Sequence, residues 1–116
     1  MKALIVINDA PYGSERPYNA LRVASTLSAR TEVELRVFLI GDGVGCAVAG
    51  QRLADGYYHV DRMIRGLLND EATVGCCGTC LDARGLAEEQ LVEGAHRSTM
   101  EELADWIQWA DRTLVF

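Results

Sequence analysis

The stretch Val74-Gly75-Cys76-Cys77-Gly78-Thr79-Cys80-Leu81-Asp82-Ala83-Arg84-Gly85 places three of the chain's four cysteines within five positions. With Ala72-Thr73 before it, the stretch opens as a short strand, Ala72 to Cys76, and Gly75 signals a bend or a close backbone approach just before the thiols. The glycine and helix-compatible residues that follow turn the strand end into a helix start. Such a joint leaves backbone N–H groups without partners, and these stabilise a thiolate placed beside them. A strand passing directly into a helix is the repeating unit of an α/β domain.

The rest of the chain repeats that alternation. Ala3-Leu4-Ile5-Val6-Ile7 is a continuous apolar run, as in a parallel strand buried on both faces, and it stops at Asn8-Asp9. Pro17 in a first turn and Ala20, Leu21, Ala24 and Leu27 at helical spacing predict a helix over about 15–29. A second strand runs from Glu32 to Ile40 and ends at Gly41-Asp42-Gly43. Val44 to Arg52 predicts a short helix carrying Cys46, and 53–59 a loop. Val60, Met63, Ile64, Leu67 and Leu68 give the cleanest amphipathic helix pattern in the chain. After the cysteines, Leu86–Leu91 predicts a helical turn and Val92–Ala95 a weak fourth strand or a loop. Ser98 and Glu101 form a capping-box pair opening a helix with Met100, Leu103, Ile107 and Ala110 on one face, and Arg112–Phe116 is a closing strand.

This order predicts one α/β domain over residues 1–116, a three-layer sandwich of about five mostly parallel strands with helices on both faces. Such sheets hold their sites at the carboxyl ends of the strands. Asn8-Asp9, Gly41-Asp42-Gly43 and Cys76-Cys77 each follow a strand, so the expected site is the edge where they meet.

Composition narrows the function. The 116 residues are 49% hydrophobic and 24% charged, a globular balance, and the net charge of −6 argues against nucleic acid. No stretch reads as a signal peptide or a membrane span, so a soluble cytoplasmic protein is expected. In that reducing compartment the cysteines are free, redox-active or metal-bound rather than structural disulfides. A single C-x-x-C, with His59 and His96 offering no second pair, does not make a structural zinc site, so neither metal nor cofactor is expected. Gly41-x-Gly43 with Gly45 lacks both the dinucleotide spacing and the Walker lysine.

Cys77 is the candidate nucleophile, with Gly78 leaving room for a substrate and Arg84 able to favour the thiolate. The bland alternative is an inert, buried cysteine. Cys80 either resolves an adduct on Cys77 through a disulfide or merely packs on the helix. Cys76 points to the other side of the strand, into the core. Cys46 either approaches the same edge or packs. Asp9 and Asp42 either orient a substrate or shape turns. Arg84 either supports the thiolate or pairs with Asp82 or a neighbouring chain. Trp106 and Trp109 either finish the core or fill a subunit interface, and Tyr57-Tyr58-His59 is an exposed or interface segment.

The run Cys77-Gly78-Thr79-Cys80-Leu81-Asp82-Ala83-Arg84-Gly85, with Gly41-Asp42-Gly43-Val44 upstream, resembles the DsrE/DsrF-like family of small sulfur-handling proteins along nearly the whole chain. Cys77 matches the acceptor cysteine of the TusD-like relay subunits. The resemblance implies sulfurtransferase chemistry, a persulfide on Cys77 passed between donor and acceptor proteins or small thiols, and a homotrimer or homohexamer. Cys80 departs from the relay pattern. It leaves open dithiol redox by Cys77 and Cys80, and a non-catalytic oligomeric binding or regulatory module is the reading from another class.

Overall fold

Five segments of the chain become strands, the first three because they carry apolar residues that a sheet interior covers, and two short edge segments by adding to them through backbone pairing. In the computed structural model, which describes residues 1–116, they are β1 (Lys2–Ile7), β2 (Glu34–Leu39), β3 (Thr73–Cys77), β4 (His96–Ser98) and β5 (Arg112–Val115). They form one sheet in the order β4-β3-β2-β1-β5, and every pairing is parallel. Parallel neighbours require crossovers, supplied by the helices α1 (Arg16–Ser28), α2 (Val60–Asn69), α3 (Gly78–Ala83) and α4 (Met100–Trp109). The first three connections step in one direction across the sheet, whereas the last returns from one edge to the other. Accordingly α1 packs beside α2 on one face and α4 covers the opposite one. The core of 27 buried residues includes Leu4, Ile5, Ile7, Val37, Phe38 and Leu39 from the two central strands and Leu21, Ile64 and Leu67 from the helices.

Three local expectations are corrected. Val44–Arg52 is not a helix; instead Gly41–Ala47 forms a 3₁₀ segment. The residues beyond it are claimed by tertiary pairing, since Val92 N–H donates to Ala47 O at 2.8 Å and Ala49 N–H to Gln90 O at 2.9 Å. That pairing outweighs the modest helix propensity of the Ala-rich run. The fourth strand is His96–Ser98 rather than Val92–Ala95, because the register that reaches β3 sets Gly75 opposite His96 and Cys77 opposite Ser98.

Helix α4 starts one residue later than the Ser98–Glu101 pair suggested. Thr99 is the N-cap and accepts from Glu102 N–H at 3.1 Å, while the Glu102 carboxylate turns to Ser98 and His96. Its inward stripe is correspondingly rotated. Trp106 is buried edge-on against Phe38, with Leu103, Trp109 and Ala110 half-buried, while Met100 and Ile107 stand outside. Gly75 makes this possible, since a Cβ there would lie 3.0 Å from the Trp106 ring.

Candidate functional site

The site begins where β1, β2 and β3 end. Gly41 turns the chain out of β2 at φ +58°, a conformation that favours glycine. Gly43 then crosses so close to β1 that a Cβ would stand 2.1 Å from Ile7 O, and its N–H donates to Asn8 O at 3.1 Å. The Gly-x-Gly pair is thus a backbone crossing between strand ends. It sets the 3₁₀ segment beside α3, with Gly41 N–H donating to Cys80 Sγ at 3.2 Å.

Cys77 closes β3 and is the N-cap of α3, its Sγ accepting from Cys80 N–H at 3.4 Å. The Thr79 hydroxyl lies 3.4 Å from the same sulfur, and the Cys80 thiol donates to it at 2.6 Å. Both cysteines are free thiols. Burial pushes the Cys77 thiol up, but the Cys80 thiol, the Thr79 hydroxyl and the backbone N–H groups of both residues favour the anion and hold its pKa below the ordinary cysteine value. Burial raises Cys80, and the hydrogen bond it gives Cys77 raises it further. The pair is therefore polarised, with Cys77 the more readily ionised thiol and Cys80 the hydrogen-bond donor to it.

Cys77 is only 3% exposed, and it lines a cleft of about 170 Å³ between the start of α3 and the β4–α4 corner. Gly78 forms the floor beside it and Thr79, Arg97, Ser98 and Met100 the walls.

Of the residues singled out in the sequence, the fold brings together Cys77, Cys80, Gly78, Asp42 and Arg84. Arg84 does not pair with Asp82. Its Nε and one terminal nitrogen donate to Asp42 Oδ1 at 3.1 and 2.6 Å, and the other terminal nitrogen to Cys80 O at 3.0 Å. Arg84 and Asp42 thus tie the 3₁₀ segment to α3. Asp9 stands apart, accepting from Ser14 Oγ at 2.8 Å and facing Arg16. Cys46 is wholly buried and donates to Asp9 O at 3.6 Å. Burial, the nearby Cys76 thiol and Asp9 push Cys46 up to about 12. Cys76, buried on the opposite side of β3 from Cys77, is pushed to about 12 by burial, Glu88 and Cys77.

Sequence reasoning missed Arg97 and Thr79. Thr79 carried a weak signal, lying inside the C-x-x-C. Arg97 carried none, because only the β3–β4 pairing brings it to Cys77. Asp82 holds it by two bonds of 2.8 Å. No group of three or more His, Cys, Asp and Glu side chains converges as a metal site does. No helix is long and apolar enough to cross a membrane.

The model of the DsrE/DsrF-like family matches residues 1–116. Protein YchN of Escherichia coli is 39% identical over 116 residues, which cover 99% of this chain and 98% of YchN. The uncharacterized protein MK0008 of Methanopyrus kandleri is 39% identical over 112 residues, covering 97% of this chain and 91% of its own length. The crystal structure of the Escherichia coli ychN protein superposes with a TM-score of 0.94 at 38% identity, covering all of this chain and 99% of that one. A Methanobacterium thermoautotrophicum protein of unknown function, MTH1491, shares the fold at a TM-score of 0.71 and 16% identity, over 96% of each chain.

Proposed function

We propose that this chain, which belongs to the DsrE/DsrF-like family, is a cytoplasmic sulfur carrier that accepts sulfane sulfur as a persulfide on Cys77 and hands it to a partner. The family is associated with sulfur relay. The observation that carries the reading is the donor set around Cys77 Sγ: the Cys80 thiol, the Thr79 hydroxyl and the Cys80 N–H all meet one sulfur at the mouth of a cleft. A thiolate so favoured attacks the outer sulfur of a donor, and no further acid or base is required.

Cys80 supplies the route of release. Its thiolate, formed by losing its proton to the departing group, attacks Cys77 Sγ of the persulfide. The outer S–S bond breaks, hydrosulfide leaves, and a Cys77–Cys80 disulfide remains for an external dithiol to reduce. Transfer to a partner thiol without that step leaves Cys80 reduced and protective. The contact of the two sulfurs also supports a second reading, dithiol redox with no carried sulfur. The carrier reading extends to a homotrimer or homohexamer, supported by the exposure of Met100, Ile107, Leu114 and Val115.

The test is to incubate the protein with a persulfide donor, trap thiols by alkylation and map the peptide 74–85 by mass spectrometry. One added sulfur on Cys77 is expected, lost in Cys77→Ser and longer-lived in Cys80→Ser. Equal sulfur uptake by Cys77→Ser would sink the reading. A Cys77–Cys80 disulfide formed without sulfur uptake would establish dithiol redox.

A further inference from the structure

Arg97 projects from β4 across the start of α3, and it lines the cleft beside Cys77. A Cβ on residue 78 would stand 2.9 Å from Arg97 Cζ and Nε, so Gly78 is what lets the guanidinium lie against the backbone next to the thiol. Arg97 N–H donates to Glu88 Oε2 at 2.6 Å, anchoring the strand end from which the side chain leaves. Two of the five N–H groups of the guanidinium bond the Asp82 carboxylate; the other three have no protein acceptor. A reactive thiol and a positioned, partly unsatisfied cation therefore face one small cavity.

Resting on the reading of Cys77 as a sulfur carrier, we propose that Arg97 determines the specificity of this cleft, selecting persulfide donors whose small organic thiol bears a carboxylate. A planar guanidinium matches a carboxylate bidentately, which makes it selective for that group rather than for bulk alone. The surrounding protein carries a net charge of −6, so a local cation at the cleft is what distinguishes an anionic donor from a neutral one. At about 170 Å³ the cavity is well below the ~300–1,000 Å³ of pockets for drug-sized ligands, and it suits a thiol acid of a few heavy atoms. Asp82 is both the tether and the competitor, since it holds one edge of Arg97 and offsets its charge while leaving the other N–H groups to an incoming carboxylate.

In the step so served, the Cys77 thiolate attacks the outer sulfur of R–S–SH. A bond forms between Cys77 Sγ and that sulfur, the donor's S–S bond breaks, and its electron pair leaves on R–S⁻. The proton stays with the transferred sulfur, so charge balances and neither oxidant nor reductant is consumed.

Two matched pairs of reagents test this. Iodoacetate and iodoacetamide probe the thiol without reference to sulfur transfer; the persulfides of mercaptopropionate and mercaptopropanamide probe the transfer. Each pair differs in one negative charge. Arg97→Gln is expected to lower the acid-to-amide rate ratio at Cys77 by about tenfold in both pairs. Asp82→Asn is expected to raise it, because the guanidinium loses its competitor. If Arg97 only held the fold together through Asp82, both variants would slow acid and amide alike with the ratios unchanged, and the proposal is overturned. If the alkylation ratio follows Arg97 while neither persulfide loads Cys77, the donor class and the carrier reading fall together and only anion selectivity survives.

Discussion

Two pairs of cysteines flank the end of β3, and the strand's alternation separates them. Cys46 and Cys76 lie fully buried on one side, where burial and their neighbours push each thiol to about 12. On the other side, Cys77 is also nearly buried, yet its sulfur receives a thiol, a hydroxyl and backbone N–H groups, and its pKa falls. Residue type is the same, and little surface is exposed in any of the three, but their depth is not the same. Two things differ: Cys46 and Cys76 lie in the deep core, where desolvation disfavours the anion, whereas Cys77 borders a cleft and hydrogen-bond donors meet its sulfur.

The comparison breaks first, and by the largest margin, in reactivity. At pH 7 a thiol with a pKa of about 12 is thiolate in roughly one molecule in 10⁵, so brief iodoacetamide treatment of folded protein should label Cys77 and spare Cys46 and Cys76. Because the pKa of Cys77 is lowered, its labelling rate should reach half its maximum below the ordinary cysteine range. Thr79→Val, which removes one donor to the anion, should move that midpoint upward. A stopped-flow pH profile read by peptide mass checks both; labelling of Cys76 at the rate of Cys77 would erase the distinction.

The next effect concerns the crossing that holds the reactive pair in place. Gly43→Ala sets a methyl group against Ile7 O and should cost about 3 kcal/mol or more, read from the urea midpoint. Any surviving folded fraction should show a slower-alkylating Cys80, because the Gly41 N–H that favours its thiolate leaves its sulfur.

Stability should then invert the order of reactivity. Cys76→Ser buries a hydroxyl where no partner waits and should cost about 1–3 kcal/mol. Cys77→Ser keeps an N-cap acceptor for α3 and should cost less than about 1 kcal/mol. Equal losses in chemical denaturation would mean that Cys77 is as structural as Cys76. The smallest effect belongs to Arg84→Ala, which removes an exposed pair with Asp42 and should cost about 0–1 kcal/mol.

Much of the architecture was legible because buried parallel strands write themselves as apolar runs: Ala3–Ile7 and the end of β2 became central strands, and the closing segment, though exposed, became an edge strand of the same sheet. The amphipathic spacing of Val60, Ile64 and Leu67 likewise found α2. Elements decided by distant partners were not legible. The Ala-rich run after Gly43 lost its helix to pairing with Gln90–Val92, and the inward stripe of α4 turned toward Trp106 because Gly75, some thirty residues earlier, left a gap for the ring. Within the site, the C-x-x-C and its glycine were local in sequence. Arg84 was noticed, but its partner proved to be Asp42 rather than Asp82.

From the sequence alone came the α/β alternation, the carboxyl-end edge, the opposite facing of Cys76 and Cys77 and the pairing of Cys77 with Cys80, all of which follow from spacings of a few residues. Tertiary structure alone decided that Arg97 stands over Gly78, that Asp82 holds it there, and that Cys46 belongs to the buried pair rather than the open one. The reason is physical: strand and helix periodicity act over a few residues, whereas the position of a guanidinium beside a thiol twenty residues away depends on the register in which β4 adds to β3.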